Sequence, residues 1–267
     1  MHFAKAHAYG NDFVYVREPL VVSADLSELA RQMCDRHTGV GADGLMVYSH
    51  TGARAAMRLF NADGSPSELS GNGVRGLGAL LLLEEATIKS ELTVDTIAGP
   101  KHMVRQKRDG TRQVFRSAMG LPADVRQVAL DAGGEHLSAV VLNFGNPQCV
   151  VLGPLPDDAR FMRLGAALER HAYFPQRTNV EFAQVEASDR VAIRIWERGC
   201  GPTQSSGTGS CASLIAAASY GGAARTADVI APGGSQLVEW ATETVYLTGW
   251  AEVVCEGEWF RPLPPSQ

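Results

Sequence analysis

The stretches PSELSGNG (Pro66–Gly73) and PTQSSGTG (Pro202–Gly209) share one frame: Pro, Ser/Thr, Glu/Gln, any residue, Ser, Gly, Asn/Thr, Gly. They lie 136 residues apart and place Ser70 and Ser206 at the same point. Each leads into an apolar run, GVRGLGALLLLEEA after the first and SCASLIAAASYG after the second. A Ser-Gly-x-Gly turn at the head of a helix leaves backbone N–H groups free, and the helix dipole adds partial positive charge there. Two such turns facing each other across a domain cleft could hold an anion and present two hydroxyls to a ligand.

The duplication extends outward from the loops. Before the first lie strand-like segments FVYV, GLMVYS and AAMRLFN, and after it ELTVDTIAG, KHMVRQKRD and RQVFRSAMG. The second half repeats the habit in SAVVLNFGN, VEFAQVEASDRVAIRIWERG and ETVYLTGWAEVVCEGEW. Two further segments read as helices. DLSELARQMCDRH has Leu26, Leu29, Ala30 and Met33 at helical spacing behind Ser23 or Asp25 as a cap, and DARFMRLGAALERHAYF is the other. Each half thus has several strands, the repeated loop and an apolar helix. That pattern predicts two similar α+β domains, each burying its helix in its own sheet. The expected partition is 1–118 and 119–254, with a seam at SAMGLPAD and a segment from about 255 to 267 returning to the first domain. Within that segment RPLPPSQ reads as a disordered Pro-rich tail.

Composition narrows the function. With 267 residues, 45% hydrophobic, 20% charged and a net charge of -5, the chain reads as an ordinary globular protein that grips neither nucleic acid nor anionic membrane. The longest apolar run, GALLLLEEA, falls well short of the ~20 residues of a membrane helix. The N-terminus MHFAKAHAYGNDF lacks a secretory pattern, so a cytoplasmic location is expected. Five cysteines (Cys34, Cys149, Cys200, Cys211 and Cys255) without a CxxC pair read as buried reduced thiols rather than disulfides or a zinc site. Five short polar turns interrupt the strands: GND (10–12), FNADGS (60–65), FGNP (144–147), RTNVEF (177–182) and WERG (196–199). Each asparagine alone has a local turn-forming reason to be there, whereas the set together suits a zwitterionic ligand.

Seven segments taken in order, KAHAYGNDFV, DRHTGVGADGLM, MRLFNADGSPSELSGNGVR, NFGNPQ, FPQRTNVEFAQV, ERGCGPTQSSGTGSCAS and YLTGWAEVVCEGEW, resemble the diaminopimelate epimerase family of cofactor-independent amino-acid epimerases. The resemblance covers nearly the whole chain. It implies an α+β fold of two pseudo-symmetric domains, each a barrel-like sheet around a central helix, with the active site in the interdomain cleft. It also implies an isomerase of lysine biosynthesis that needs no cofactor or metal, binds an amino acid and, by analogy, forms a homodimer. The family's reaction uses two thiols, one removing the α-proton and the other returning a proton to the opposite face. By the same resemblance, Asn11, Asn61, Asn146, Gln148 and Asn179, with Glu197 and Arg198, line the α-amino and distal ends of the substrate. Gly71, Asn72, Gly207 and Thr208 supply the cradle for its α-carboxylate.

Both thiol positions hold serine here, Ser70 and Ser206, and Gln148 stands where the family tends to carry His after GNP. A thiol with an ordinary pKa near ~8.5 is within reach of a helix end, but an alcohol needs a neighbouring base. Glu197 and then His7 are the candidates for that base. Cys149 and Cys211 fall outside the catalytic register and read as scaffold. Three accounts of the serine pair stand open: an introduced replacement that traps a substrate, natural divergence to other α-carbon chemistry including a lyase acting on a β-substituted amino acid, and binding without turnover. Gln148 favours divergence.

Overall fold

A computed structural model describes residues 1–67, 70–84, 90–97 and 99–265, and compactness divides the chain into two units. Unit 1 comprises Met1–Ser117 and Gly249–Gln267, and unit 2 comprises Ala118–Thr248. Unit 1 runs β1 (His2–Ala8), β2 (Asn11–Arg17), α1 (Leu26–Cys34), β3 (Gly44–Thr51), β4 (Arg54–Asn61), β5 (Pro66–Ser67), α2 (Gly71–Glu84), β6 (Glu91–Thr96), β7 (Gly99–Asp109) and β8 (Arg112–Gly120). Unit 2 runs β9 (Ala123–Ala132), β10 (Glu135–Asn143), β11 (Pro147–Leu152), α3 (Asp158–Glu169), β12 (Asn179–Ala187), β13 (Arg190–Glu197), β14 (Gly201–Thr203), α4 (Gly207–Ala216), β15 (Thr226–Ala231), β16 (Gly234–Trp240) and β17 (Val245–Glu258). The chain passes between units inside β8 and again inside β17. Strand β8 spans the RQVFRSAMG segment to Gly120, and only Leu121 and Pro122 separate it from β9.

The two units repeat one pairing scheme. In unit 1, β1 and β2 pair antiparallel, β2 and β3 parallel, β3 and β4 antiparallel, and β4 pairs parallel with β6. In unit 2, β10, β11, β12, β13 and β15 repeat that sequence of senses. Strand β17 pairs with both β1 and β8, which closes eight strands of unit 1 around α2. The parallel steps are the places where a helix must cross over, and α1 and α3 make the first crossover in each unit.

Burial explains the helices. In α2 the residues Asn72–Leu82 are all buried, and in α4 all ten are, so each is a central helix rather than an amphipathic surface one. Helices α1 and α3 bury a single stripe: Leu29, Ala30, Met33 and Cys34 in one, Phe161, Leu164, Gly165 and Leu168 in the other, with Glu169 also buried. Of the two expected caps for α1, Asp25 does the work, accepting the Glu28 N–H at 3.0 Å. Helix α3 stops at Glu169, five residues short of the expected run, because Arg170–Arg177 turns back through bonds such as Phe174 N–H to the His171 carbonyl. The C-terminal α4 run changes at Ala217–Gly221 to a π-helical turn and ends at Gly222 with φ +79.

The expected disorder of RPLPPSQ is corrected through Pro265. Asp25 N–H bonds the Pro264 carbonyl at 2.8 Å, Pro265 bridges to Ala24, and Arg261 reaches the Thr38 carbonyl at 2.8 Å. Ser266 and Gln267 lie outside the described residues, as do Glu68 and Leu69 of the first loop and residues 85–89. The cysteine reading needs a partial correction too: none of the five is joined in a disulfide, but only Cys34, Cys149 and Cys211 are buried, while Cys200 and Cys255 are exposed.

Candidate active site

Ser70 and Ser206 occupy the same structural position in the two units. Ser70 Oγ accepts the Gly73 N–H at 3.1 Å at the head of α2, and Ser206 Oγ accepts the Gly209 N–H at 3.2 Å at the head of α4. Both are therefore helix N-caps, a role in which serine is among the best residues. Gly71 and Gly207 open the two helices, with Asn72 and Thr208 next to them. The first-turn N–H groups left over are the ready anion site of a helix N-terminus.

In unit 1 the cap is surrounded by a charged network. Asn72 donates to Asn11 Oδ1 at 3.2 Å, and Asn11 donates to Asp43 at 2.8 Å. Asp43 and Asp12 share the Arg36 guanidinium, at 2.8 and 2.7 Å, and Lys5 Nζ lies 3.0 Å from Asp12. Burial works against the Asp12 charge, yet hydrogen bonds from Arg36 and Lys5 prevail and hold its carboxyl below the usual range. Arg75, 1% exposed, donates to Asn72 Oδ1 and stacks over Tyr9 with 5.9 Å to the ring centroid. The Tyr15 hydroxyl donates to the Gly73 carbonyl at 2.9 Å, pinning the first turn of α2 to β2. Asn61 stands apart from this network: its amide donates to Ser65 Oγ at 2.9 Å within its own turn. His7 accepts from the Gly10 N–H at 3.2 Å, lies edge-on to Trp250 and is 3.9 Å from Glu252, which ties it to the β1–β2 turn.

In unit 2 the cap is surrounded by amides. Gln148 is fully buried and donates to Asn146 Oδ1 at 2.6 Å, and Asn146 reaches Thr208 Oγ1 at 3.5 Å. Asn179 donates to the Pro147 carbonyl at 3.4 Å and accepts the Arg198 N–H at 2.9 Å, so Asn146, Gln148, Asn179, Arg198 and Thr208 form one neighbourhood. Glu197 ends β13 half-buried, and its carbonyl accepts the Cys200 N–H at 3.1 Å. Cys149 is buried, and burial together with the Glu181 charge pushes its thiol far up, away from nucleophilic character. Cys211 is buried in the core around α4.

Residues that sequence reasoning did not single out are Arg75, Asp43, Tyr15 and above all Glu181. The last is a carboxyl with no exposed surface, in the run Asn179–Ala183 of which every residue is buried. A lone charge inside an otherwise apolar strand segment is the signal that points to it. Among the described residues no cluster of three or more His, Cys, Asp or Glu could hold a metal ion.

With this geometry in view, the sequence profile of diaminopimelate epimerase matches residues 3–123 and 140–254. The chain belongs to the diaminopimelate epimerase family. A diaminopimelate epimerase from Desulforudis audaxviator is 41% identical over 98% of this chain and 100% of its own length, and one from Pelotomaculum thermopropionicum 38% over 97% and 99%. Among solved structures, a hydroxyproline epimerase from Agrobacterium vitis superposes with a TM-score of 0.69 at 16% identity, covering 96% of this chain and 91% of that one. A phenazine biosynthesis protein from Bacillus anthracis does so with 0.69 at 15%, covering 98% and 99%. At those identities the two structures establish the fold alone, which is the α+β fold expected from the repeated loops. The family places the chain among the amino-acid epimerases and racemases.

Proposed function

We propose that the protein acts at the α-carbon of a zwitterionic amino acid, with Ser70 and Ser206 in the two proton-transferring positions of the family's reaction. The observation that carries this reading is the shared cap: both serines keep the helix-head position and the contact to the N–H three residues on, at 3.1 and 3.2 Å. The first-turn amides of Gly71, Asn72, Gly207 and Thr208 would hold the α-carboxylate, a charge that helix N-termini favour by typically ~0.3–1 kcal/mol each. Asn11, Asn61, Asn146 and Asn179, with Glu197 and Arg198, would take the α-amino and distal groups. Gln148 cannot serve as a base, because a carboxamide does not bind a proton near neutral pH.

A serine can take the α-proton only if its own proton leaves in the same step, since a free alkoxide is far too basic to exist there. Glu197 is the proposed acceptor of that proton. As the second serine gives its proton to the opposite face of the carbanion it takes one from solvent in the same step, and Glu197 returns its proton to solvent, so substrate and enzyme end with the protons they began with. The relatives' names make LL-diaminopimelate the first substrate to try. Incubation of the protein with LL-diaminopimelate and a panel of other amino acids in deuterium oxide, followed by NMR, tests the proposal. Deuterium at the α-carbon with inversion is the expected result, and loss of a β-substituent would identify a lyase instead. Calorimetric binding without exchange at any pH would leave an amino-acid binder.

A further inference from the structure

Glu181 lies on β12 opposite Val150 of β11 and Ile195 of β13, has no exposed surface, and reaches the head of α4. A Cβ on Gly209 would lie 2.6 Å from Glu181 Oε1 and 3.1 Å from Ser206 Oγ, so the carboxyl and the cap hydroxyl border the same point. Packing does not call for a carboxyl there. In the pairing scheme common to both units, Gly44 of β3 pairs with Phe13 as Asn179 of β12 pairs with Gln148. Two residues further along, the position of Glu181 in unit 1 is filled by Met46, equally buried and lying beneath Gly73 as Glu181 lies beneath Gly209. The fold is thus satisfied by Phe and Met where unit 2 has Gln148 and Glu181.

The planar Gln148 amide fits its surroundings in two ways. With Nε2 donating to Asn146 Oδ1 at 2.6 Å, its Oε1 stands 3.0 and 3.3 Å from the two Glu181 oxygens, a hydrogen bond only if Glu181 carries a proton to donate. Turned over, Nε2 donates to the Glu181 carboxylate at 3.0 Å, and Oε1 accepts from Thr208 Oγ1 at 3.2 Å and Asn179 Nδ2 at 3.3 Å; the Asn146 amide 2.6 Å away must turn with it, so that its nitrogen rather than Oδ1 faces Oε1. We infer that Glu181 is a positioning residue, whose proton decides which way Gln148 faces and therefore what Thr208 and Asn179 present to a ligand at the head of α4. The functional consequence rests on the proposed amino-acid site, while the coupling itself does not. The groups acting on the Glu181 carboxyl agree. Burial raises its pKa well above the ordinary carboxylate value, and the Glu197 charge on β13 raises it further. On β11 it pairs with Val150, while the buried Cys149 thiol, whose pKa the Glu181 charge raises, lies on the other face of the sheet, and the first turn of α4 contributes only glycine and hydroxyl-bearing residues.

The test is an NMR titration of the full chain from about pH 5 to about pH 10, following the Glu181 carboxyl carbon and the Gln148 and Asn179 side-chain amides. The expected result is one shared midpoint for all three in the native protein and pH-independent amides in Glu181→Gln. Glu181→Met, which copies unit 1, is the control for folding and should also leave the amides without that titration. In parallel, the affinity for LL-diaminopimelate is expected to change roughly tenfold across the same midpoint in the native protein and to stay flat in Glu181→Gln, the effect of one hydrogen bond gained or lost. Amides that hold still while the carboxyl titrates, a carboxyl that keeps one state throughout, or a titration that survives in Glu181→Gln would each overturn the inference. If no amino acid of the panel binds or exchanges, the proposed function fails, and the shared midpoint still decides the coupling.

Discussion

In unit 1 the strands beside the central helix carry Phe13 and Met46, the latter against its first turn at Gly73; in unit 2 the same two register positions hold Gln148 and Glu181. Around this point the polar groups are also exchanged. Unit 1 surrounds Asn72 and Asn11 with the salt-bridged Asp12, Asp43, Arg36 and Lys5, whereas unit 2 surrounds Thr208 with the amides of Asn146, Gln148 and Asn179 and one buried acid. The backbone, the cap and the helix dipole are common property of the fold. The titrating groups near the caps are not, so the two serines sit in opposite electrostatic settings.

The comparison can be broken most forcefully by placing thiols at the two caps. Ser70→Cys with Ser206→Cys is expected to raise α-proton exchange of diaminopimelate by about a hundredfold or more, since a thiol reaches its anion near neutral pH and an alcohol does not. The measurement is exchange rate in deuterium oxide, and an unchanged rate would show that the surrounding groups have diverged as well. A smaller effect, on stability, separates Gly209 from Gly73. Gly209→Ala drives a Cβ against a buried carboxyl at 2.6 Å and should cost about 1–3 kcal/mol in denaturant unfolding. Gly73→Ala meets the flexible thioether of Met46 and should cost less, about 1 kcal/mol.

The two settings also predict opposite pH dependence. Asp12 is held below its ordinary value in the folded state, so its contribution is present above the unfolded pKa and lost as pH falls through the folded one. Glu181 is held above its ordinary value of 4.5, so it favours folding most below that pH, and its contribution is lost as pH rises toward the folded value. Asp12→Asn should therefore destabilise by about 1–2 kcal/mol at neutral pH and progressively less in acid. Glu181→Gln should become relatively more stable than the native protein as pH rises. Thermal unfolding across the pH range reads both. The smallest expected difference is between Ser70→Ala and Ser206→Ala, each costing about 1 kcal/mol as a lost helix cap.

How far these features were legible follows from the range of the interactions behind them. The caps, the central helices and the strands around them depend on neighbours a few residues apart, so the loops and the apolar runs announce them. Strand β9 was missed because only Leu130 and Ala132 along it are buried, which leaves little alternation to read. The extent of α3 was overestimated because Ala172–Phe174 continues its apolar look while the backbone already turns. The asparagines belong to recognisable turns, but Asn61 serves Ser65 beside it while Asn72 and Asn11 join the wider network. Glu181 and Met46 become a comparable pair only through strand register, a long-range property that no local pattern carries.

The central claim is that the two serines serve the two faces of one α-centre. The direct measurement is α-proton exchange from LL- and DD-diaminopimelate, taken separately in Ser70→Ala and Ser206→Ala. The account predicts that each variant loses exchange from one configuration and largely keeps it from the other, with the two variants opposite. Equal slowing of both configurations in both variants, or no effect in either, would contradict it.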